Sequence, residues 1–302
     1  MGENSRIEWC DHTFNPWIGC QRVSPGCVNC YAEARDHRFT GGANWGSKGT
    51  RTVTSESNWR KPLKWNRDAA AAGVRAKVFC ASLADVGEDR PELRGPRARL
   101  ALLIQNTPWL DWLLLTKRVE DFHRLFSEHW GDEWPENLWA GCTVENQEYA
   151  DKRIPELLRV PARVRFLSCE PLLGPVDLEG VAGHPFGCEG LMGCEPKIHW
   201  VICGGESGPN ARPMHPDWAR SLRDQCEAAG VAFFIKQWGE WLPGGCNLNG
   251  PRWPHGGEPA GWRNSRVQYF ADGDEYTFRV GKHAAGRLLD GREHSAFPEV
   301  GR

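Results

Sequence analysis

The chain has 302 residues, 12 cysteines, 16 tryptophans and a formal net charge of −2. That length can bury a substantial core as one large α/β domain or two smaller ones. The near-neutral balance excludes an electrostatic case for non-specific nucleic-acid binding and leaves only a local basic patch.

Residues 1–14 contain no apolar h-region, and no apolar run approaches the length of about 18 residues that spans a bilayer. No secretory signal, transmembrane segment or membrane partner is therefore expected. The cysteines are expected to serve metal in a reducing cytoplasm rather than to form disulfides. In chain order, SRIEWCDHTF (5–14) roughly alternates and suits a short first strand. It leads into NPWIGCQRVSPGCVNCYA (15–32), where Pro16, Gly19, Pro25 and Gly26 dictate a loop. YAEARDHRF follows with helix-forming composition, so Cys30 is expected where the loop enters a helix.

Cys20, Cys27 and Cys30 are spaced C-x6-C-x2-C. Three thiolates from one turn-rich loop can converge on one centre. A structural zinc normally closes with four protein ligands, whereas a centre that must bind something else keeps a position open. Thiolates suit zinc or iron–sulfur clusters. Three arrangements are compatible with the spacing: a [4Fe–4S] cluster with one iron open to a small molecule, a zinc site completed by a residue such as Cys10 or His12, and three separate buried thiols.

Residues 40–62, rich in Gly, Ser, Thr and Asn, read as a long, mobile connection. A unit then repeats. VFCASLAD (78–85), WLLLTK (112–117), LWAGCTVE (138–145), VRFLSCE (164–170), HWVICGGE (199–206) and VAFFIKQW (231–238) are short apolar runs that end in polar residues. Helical patterns separate most of them: Leu93, Leu100, Leu103 and Ile104; Val119, Phe122, Leu125, Phe126 and Trp130; Trp218, Leu222 and Cys226, with Gly230 as C-cap. Apolar strands alternating with amphipathic helices predict an α/β fold with a parallel sheet of about seven strands, a full or partial (β/α) TIM-like barrel. Residues 239–302 change to a Gly/Pro/Trp-rich stretch and two strand-like runs around Asp272-Gly273-Asp274. They read as a C-terminal cap on a barrel spanning 1–238.

In such folds functional groups collect at the C-terminal ends of the strands. The runs place there Ser82 and Asp85; Thr116, Lys117 and Arg118; Thr143, Glu145 and Asn146; Ser168 and Glu170; Glu206 and Ser207; Lys236 and Gln237. Any one of these could simply begin a solvated loop, but six strand ends that all finish in polar groups point to a ligand. Cys80, Cys142, Cys169 and Cys203 fall inside strands and read as small core residues. Cys188 and Cys194, near His184 and His199, form either a second small metal site or incidental loop thiols. Cys10, Cys226 and Cys246 show no partner pattern.

The lead NPWIGC and the close CYA resemble the cluster loop of radical-SAM enzymes, especially the spore-photoproduct-lyase-like branch. The superfamily spacing is C-x3-C-x2-C, and this chain has six residues in the first gap. Over nearly its whole length the sequence also resembles an uncharacterised family of bacteriophage and bacterial proteins with this three-cysteine motif. The matching segments are NPWIGC, LLLTKR, TVENQEYADKRIP, VRFLSCEPLLGP, WVICGGESGPNARPMHPDW, FFIKQWG and VGKHAAGRLLDG.

The radical-SAM resemblance implies a [4Fe–4S] cluster on Cys20, Cys27 and Cys30, S-adenosyl-L-methionine on its open iron, and reductive cleavage to a 5′-deoxyadenosyl radical. It also implies an electron donor such as flavodoxin or ferredoxin. By strand position, Ser82, Asp85, Thr143, Glu145 and Asn146 are expected to hold the cofactor, with Tyr31 beside the cluster or the adenine. Lys117, Glu170, Glu206 and Lys236 are the candidate catalytic groups. In the superfamily a Gly-Gly-Glu-like motif binds the methionine amine from the second strand. The GGE of 204–206 ends the sixth, so that role does not transfer. The spore-lyase likeness points to a nucleic-acid or nucleoside substrate, with LLLTKR and GPNARP as phosphate contacts. The rival expectation is a zinc-stabilised, phage-associated nucleic-acid-binding or interaction protein without catalysis.

Overall fold

In the computed structural model, residues 2–179, 181, 197–244, 266–271 and 275–299 are described. Cys188, Cys194, His184, Cys246 and the 272–274 turn lie outside them. Seven strands form one sheet: β1 (His12–Phe14), β4 (Ala76–Cys80), β5 (Leu110–Thr116), β6 (Leu138–Thr143), β7 (Val164–Cys169), β8 (Trp200–Gly204) and β9 (Ala232–Gln237), in that spatial order. β2 (Trp17–Ile18) and β3 (Thr52–Val53) make a separate antiparallel ribbon. The pairs β1–β4, β4–β5, β5–β6 and β8–β9 are parallel. Spatial order follows chain order, the single winding of a (β/α) barrel rather than the reversal of a doubly wound sheet. β1 and β9 end the order, so the barrel is partial. No described helix is long and apolar enough to cross a membrane.

The chain divides into two compact units, Met1–Thr143 with Pro155–Phe166, and Val144–Ile154 with Leu167–Arg302. In the first, β4 and β5 bury Val78, Phe79, Cys80, Trp112, Leu113 and Leu114. α3 (Arg94–Gln105) and α4 (Val119–Trp130) turn their apolar stripes inward, burying Leu100, Ile104, Phe122, Leu125 and Phe126. Asn137 ties the turn before β6 to three carbonyls, donating to Ile104, Thr107 and Leu110 at 2.9–3.0 Å.

One expectation is narrowed here and one fails. The first strand is only three residues long, because Ser5 N–H donates to the Asp11 carbonyl and Cys10 N–H to the Ile7 carbonyl, closing turns where a strand was expected. Residues 40–62 are not a mobile connection. Their second half opens the helix α2 (Glu56–Ala72), capped by Ser55, whose hydroxyl accepts from Asn58 N–H, and closed by Gly73 at φ 66°. Trp59, Pro62, Trp65 and Ala69 form its buried stripe. The first half is bound to Arg51, whose guanidinium donates to the carbonyls of Asn44, Gly46, Gly49 and Thr50. It follows α1 (Tyr31–Thr40).

The second unit carries α6 (Pro216–Ala228), which buries Ala219, Leu222 and Cys226. A three-stranded antiparallel sheet of β10 (Trp241–Gly244), β12 (Tyr276–Arg279) and β11 (Val267–Tyr269) is followed by α7 (Lys282–Ala285). β11 and β12 are the two expected strand-like runs. β10 was missed, because Pro243 and Gly244 in WLPG read as irregular chain. A bridge from Phe234 to Ser295 covers the outer edge of β9. α5 (Gln147–Leu158) joins β6 to β7.

Candidate functional site

In the first unit the cysteine loop is fastened to the end of β4 by its lead residues. Asn15 is fully buried. Its Oδ1 accepts from Leu83 N–H at 2.6 Å, and its Nδ2 donates to Ser82 Oγ at 2.9 Å. Gly19 N–H donates to the Leu83 carbonyl at 3.0 Å. Gly19 adopts φ +116° and packs directly on the Asn44 and Thr50 carbonyls, so no side chain fits. Cys20, which follows, forms a parallel bridge to Trp45.

Each cysteine is free and partly exposed. Arg118 Nη1 donates to Cys20 Sγ at 3.7 Å and Nη2 to the Gln21 carbonyl at 3.0 Å. Asp85 braces that guanidinium at 2.8 Å, and the Glu88 carboxylate stands 3.9 Å from it. Glu88 is itself held by two 2.6 Å bonds from the buried Arg51. Burial first, then Asp85, pushes the Cys20 thiol up to about 12, with Arg118 acting the other way. Cys27 Sγ lies 3.7 Å from the Ser24 hydroxyl. Cys30 is the N-cap of α1. Burial raises its thiol, against the backbone N–H groups of Glu33 and Ala32 and the Lys117 ammonium. Such thiols give up their protons to a bound cation, and metal binding drives that release.

Among the described residues, no three His, Cys, Asp or Glu side chains are grouped so as to share one metal ion. Tetrahedral zinc would draw thiolate sulfurs to about 3.8 Å apart, given Zn–S bonds of about 2.3 Å. A cubane binds each cysteine through a different iron and spaces them more widely. The suggested zinc ligands are engaged elsewhere: Cys10 Sγ bonds Ser5 Oγ at 3.6 Å, and His12 stacks on Trp65 at 4.3 Å. Three free thiols in one loop, with Arg118 donating to Cys20, the Ser24 hydroxyl beside Cys27 and Cys30 at a positive helix end, have the donor chemistry that an iron–sulfur cluster uses.

Lys117 Nζ donates to Thr143 Oγ1 at 3.2 Å. The Tyr31 hydroxyl donates to the Ser82 carbonyl while the residue stays 60% exposed. Asp85 is buried, accepting from Thr116 Oγ1, from the Gly87 and Lys117 backbone N–H groups and from Arg118 Nη1. Sequence reasoning named Arg118 among the strand-end residues but did not single it out. The available signal was an arginine directly after the end of β5.

In the second unit Glu145 is fully buried and takes a 2.6 Å bond from Arg153, while Asn146 Oδ1 accepts from Tyr149 N–H at the start of α5. Glu170 receives Lys236 Nζ at 2.9 and 2.8 Å and Gln237 Nε2 at 2.8 Å. Glu206 pairs with Arg212, whose backbone N–H, Nε and Nη2 donate to it at 2.6–2.9 Å.

Fold and loop together define a singly wound α/β protein with three free cysteines in one braced loop. The chain belongs to the family described as protein of unknown function (DUF5131), matched over residues 4–298. No curated protein matches it. A solved structure of a cysteine-to-alanine mutant of spore photoproduct lyase with dinucleoside spore photoproduct is similar at TM-score 0.42 and 9% identity, over 91% of this chain and 70% of that one.

Proposed function

We propose that the protein is an iron–sulfur enzyme of radical-SAM type, with Cys20, Cys27 and Cys30 holding a [4Fe–4S] cluster. The observation that carries this is the loop itself: three free thiols, fastened by Asn15 and Gly19, with Arg118 on Cys20 and the N-terminus of α1 on Cys30. When bound, a cluster with S-adenosylmethionine on its open iron supplies one-electron reductive cleavage of the sulfonium.

The chain's own residues bind and orient. Arg118 balances the charge of the Cys20 thiolate, and Asp85 holds Arg118 in place. Lys117, fixed by Thr143, offers an ammonium to a ligand carboxylate. The Tyr31 ring, tethered by its hydroxyl to the Ser82 carbonyl, offers a face to a heterocycle. In the second unit Glu170, Lys236 and Glu206 offer polar groups to a substrate, a nucleoside or nucleic acid, and a flavodoxin- or ferredoxin-type protein supplies the electron.

Anaerobic reconstitution with iron and sulfide, followed by EPR with and without S-adenosylmethionine, tests this. A reduced [4Fe–4S] signal that shifts with the cofactor and is lost in Cys27→Ala is expected. Colourless protein retaining one zinc would overturn it.

A further inference from the structure

Glu170, Lys236 and Gln237 meet at the C-terminal ends of β7 and β9 with hydrogen-bonding capacity left over. Lys236 Nζ spends two donors on the Glu170 oxygens, at 2.9 and 2.8 Å. Gln237 Nε2 spends both of its donors, on Glu170 Oε1 at 2.8 Å and on the Gly205 carbonyl at 3.3 Å. Gln237 is 5% exposed, and its Oε1 is buried with no partner among the described residues. A buried carbonyl oxygen left unpaired is costly unless something else bonds it. Gly204, at the end of the intervening β8, makes the cluster fit, since a Cβ there would lie 3.1–3.3 Å from Glu170 Cδ, Cγ and Oε1.

Counting what remains defines the ligand's edge. Lys236 retains one N–H. Glu170 Oε2 retains a lone pair, and Gln237 Oε1 has accepted nothing. One cationic donor beside two acceptors calls for a ligand with one acceptor and two donors. Among nucleobases the Watson–Crick edge of guanine has that composition, with O6 as acceptor and N1–H and the 2-amino group as donors. Adenine offers one of each there. Cytosine, uracil and thymine offer one donor and two acceptors. The mutual neutralisation of Lys236 and Glu170 also suits a neutral base better than a phosphate or an ammonium.

We infer that Glu170, Lys236 and Gln237 form a binding site for the lactam–amine edge of a guanine nucleoside. Gln237 supplies the neutral acceptor, Glu170 the charged one and Lys236 the donor to O6. As a substrate site this rests on the nucleoside assignment proposed above, whereas binding itself needs neither iron nor S-adenosylmethionine.

Calorimetric titration of the full chain as purified with guanosine, inosine, adenosine and uridine tests it. Guanosine should bind tightest. Inosine, which lacks the 2-amino donor, should bind about tenfold more weakly. Adenosine and uridine should bind more weakly still, because a site built around specific donors and acceptors rejects analogues that leave them unpaired. Glu170→Gln and Gln237→Met should each abolish the preference. Equal binding of guanosine and adenosine, no binding of guanosine, or a preference that survives Glu170→Gln would overturn it. The ranking is read on the unsubstituted chain, so it stands even where a variant fails to fold. A cluster that fails to assemble leaves this titration unaffected, and a cluster that assembles without guanosine preference removes only the guanine site.

Discussion

Gly19 shows how tightly the cysteine loop is specified. At φ +116° and with the Thr50 carbonyl 2.9 Å from where a Cβ would stand, Gly19→Ala must either strain the backbone or push the loop off the end of β4. The expected cost is about 1–3 kcal/mol in urea unfolding, on the scale of a strained backbone residue. Iron retention after reconstitution should fall with it, since Cys20 is the next residue. Arg118 carries a larger burden. Arg118→Leu leaves the buried Asp85 carboxylate without its cation and should destabilise the chain by about 3–5 kcal/mol, the range for a broken buried pair. Lys117→Ala, which removes one partly buried bond, should cost far less. An effect of Arg118→Leu no greater than that of Lys117→Ala would sink the bracing role. The sequence placed polar residues at every strand end. It could not tell which of Thr116, Lys117 and Arg118 turns back toward the loop, because Asp85 is 33 residues from Arg118 in the chain. Glu145 was opaque for a similar reason, its cation Arg153 lying on the following helix.

Elements were legible wherever periodicity was undisturbed. α4 spans Val119–Trp130, as its apolar spacing predicts, and six apolar runs became six strands of the parallel sheet. α2 was missed because Pro62 sits inside it and a Gly/Ser/Thr-rich lead precedes it. Its signal was the stripe of Trp59, Pro62, Trp65 and Ala69. α1 was legible as a helix, but its tie to the next loop was not. Asp36, on its buried face, bonds the Asn44 side chain and backbone N–H at 2.8 and 3.0 Å and the Thr40 hydroxyl at 2.9 Å. Burial alone would raise the Asp36 carboxyl, yet these bonds outweigh it and hold the group below its ordinary value. A carboxyl depressed on folding contributes stability above its unfolded pKa of about 3.9, and that stability is lost as pH falls further. The urea midpoint of wild type should therefore exceed that of Asp36→Asn most clearly above about pH 5, with the gap closing toward pH 3. A gap that stays constant across that range would mean that the carboxylate is not the group responsible.

At the scale of the molecule, the single winding of the sheet explains why polar groups gather where they do. Each strand leaves its C-terminal end to a connecting loop, and those ends carry Asp85, Arg118, Glu170, Glu206, Lys236 and Gln237. The two proposed sites nonetheless draw on separate compact units. Cys20, Cys27, Cys30 and Arg118 belong to the first, and Glu170, Lys236 and Gln237 to the second. The hydrogen bonds that brace each set come from residues of the same unit. Perturbations at sites without shared partners add within about 0.5 kcal/mol. Cys27→Ala should therefore leave guanosine affinity within about twofold of wild type, the ratio that energy corresponds to. Glu170→Gln should likewise leave the iron content of the reconstituted protein unchanged. The double variant should show both losses at their single-variant sizes. If emptying the cysteine loop instead abolished guanosine binding, the two units would have to act as one cooperative structure, and the strand-end cluster could not be treated as a site in its own right.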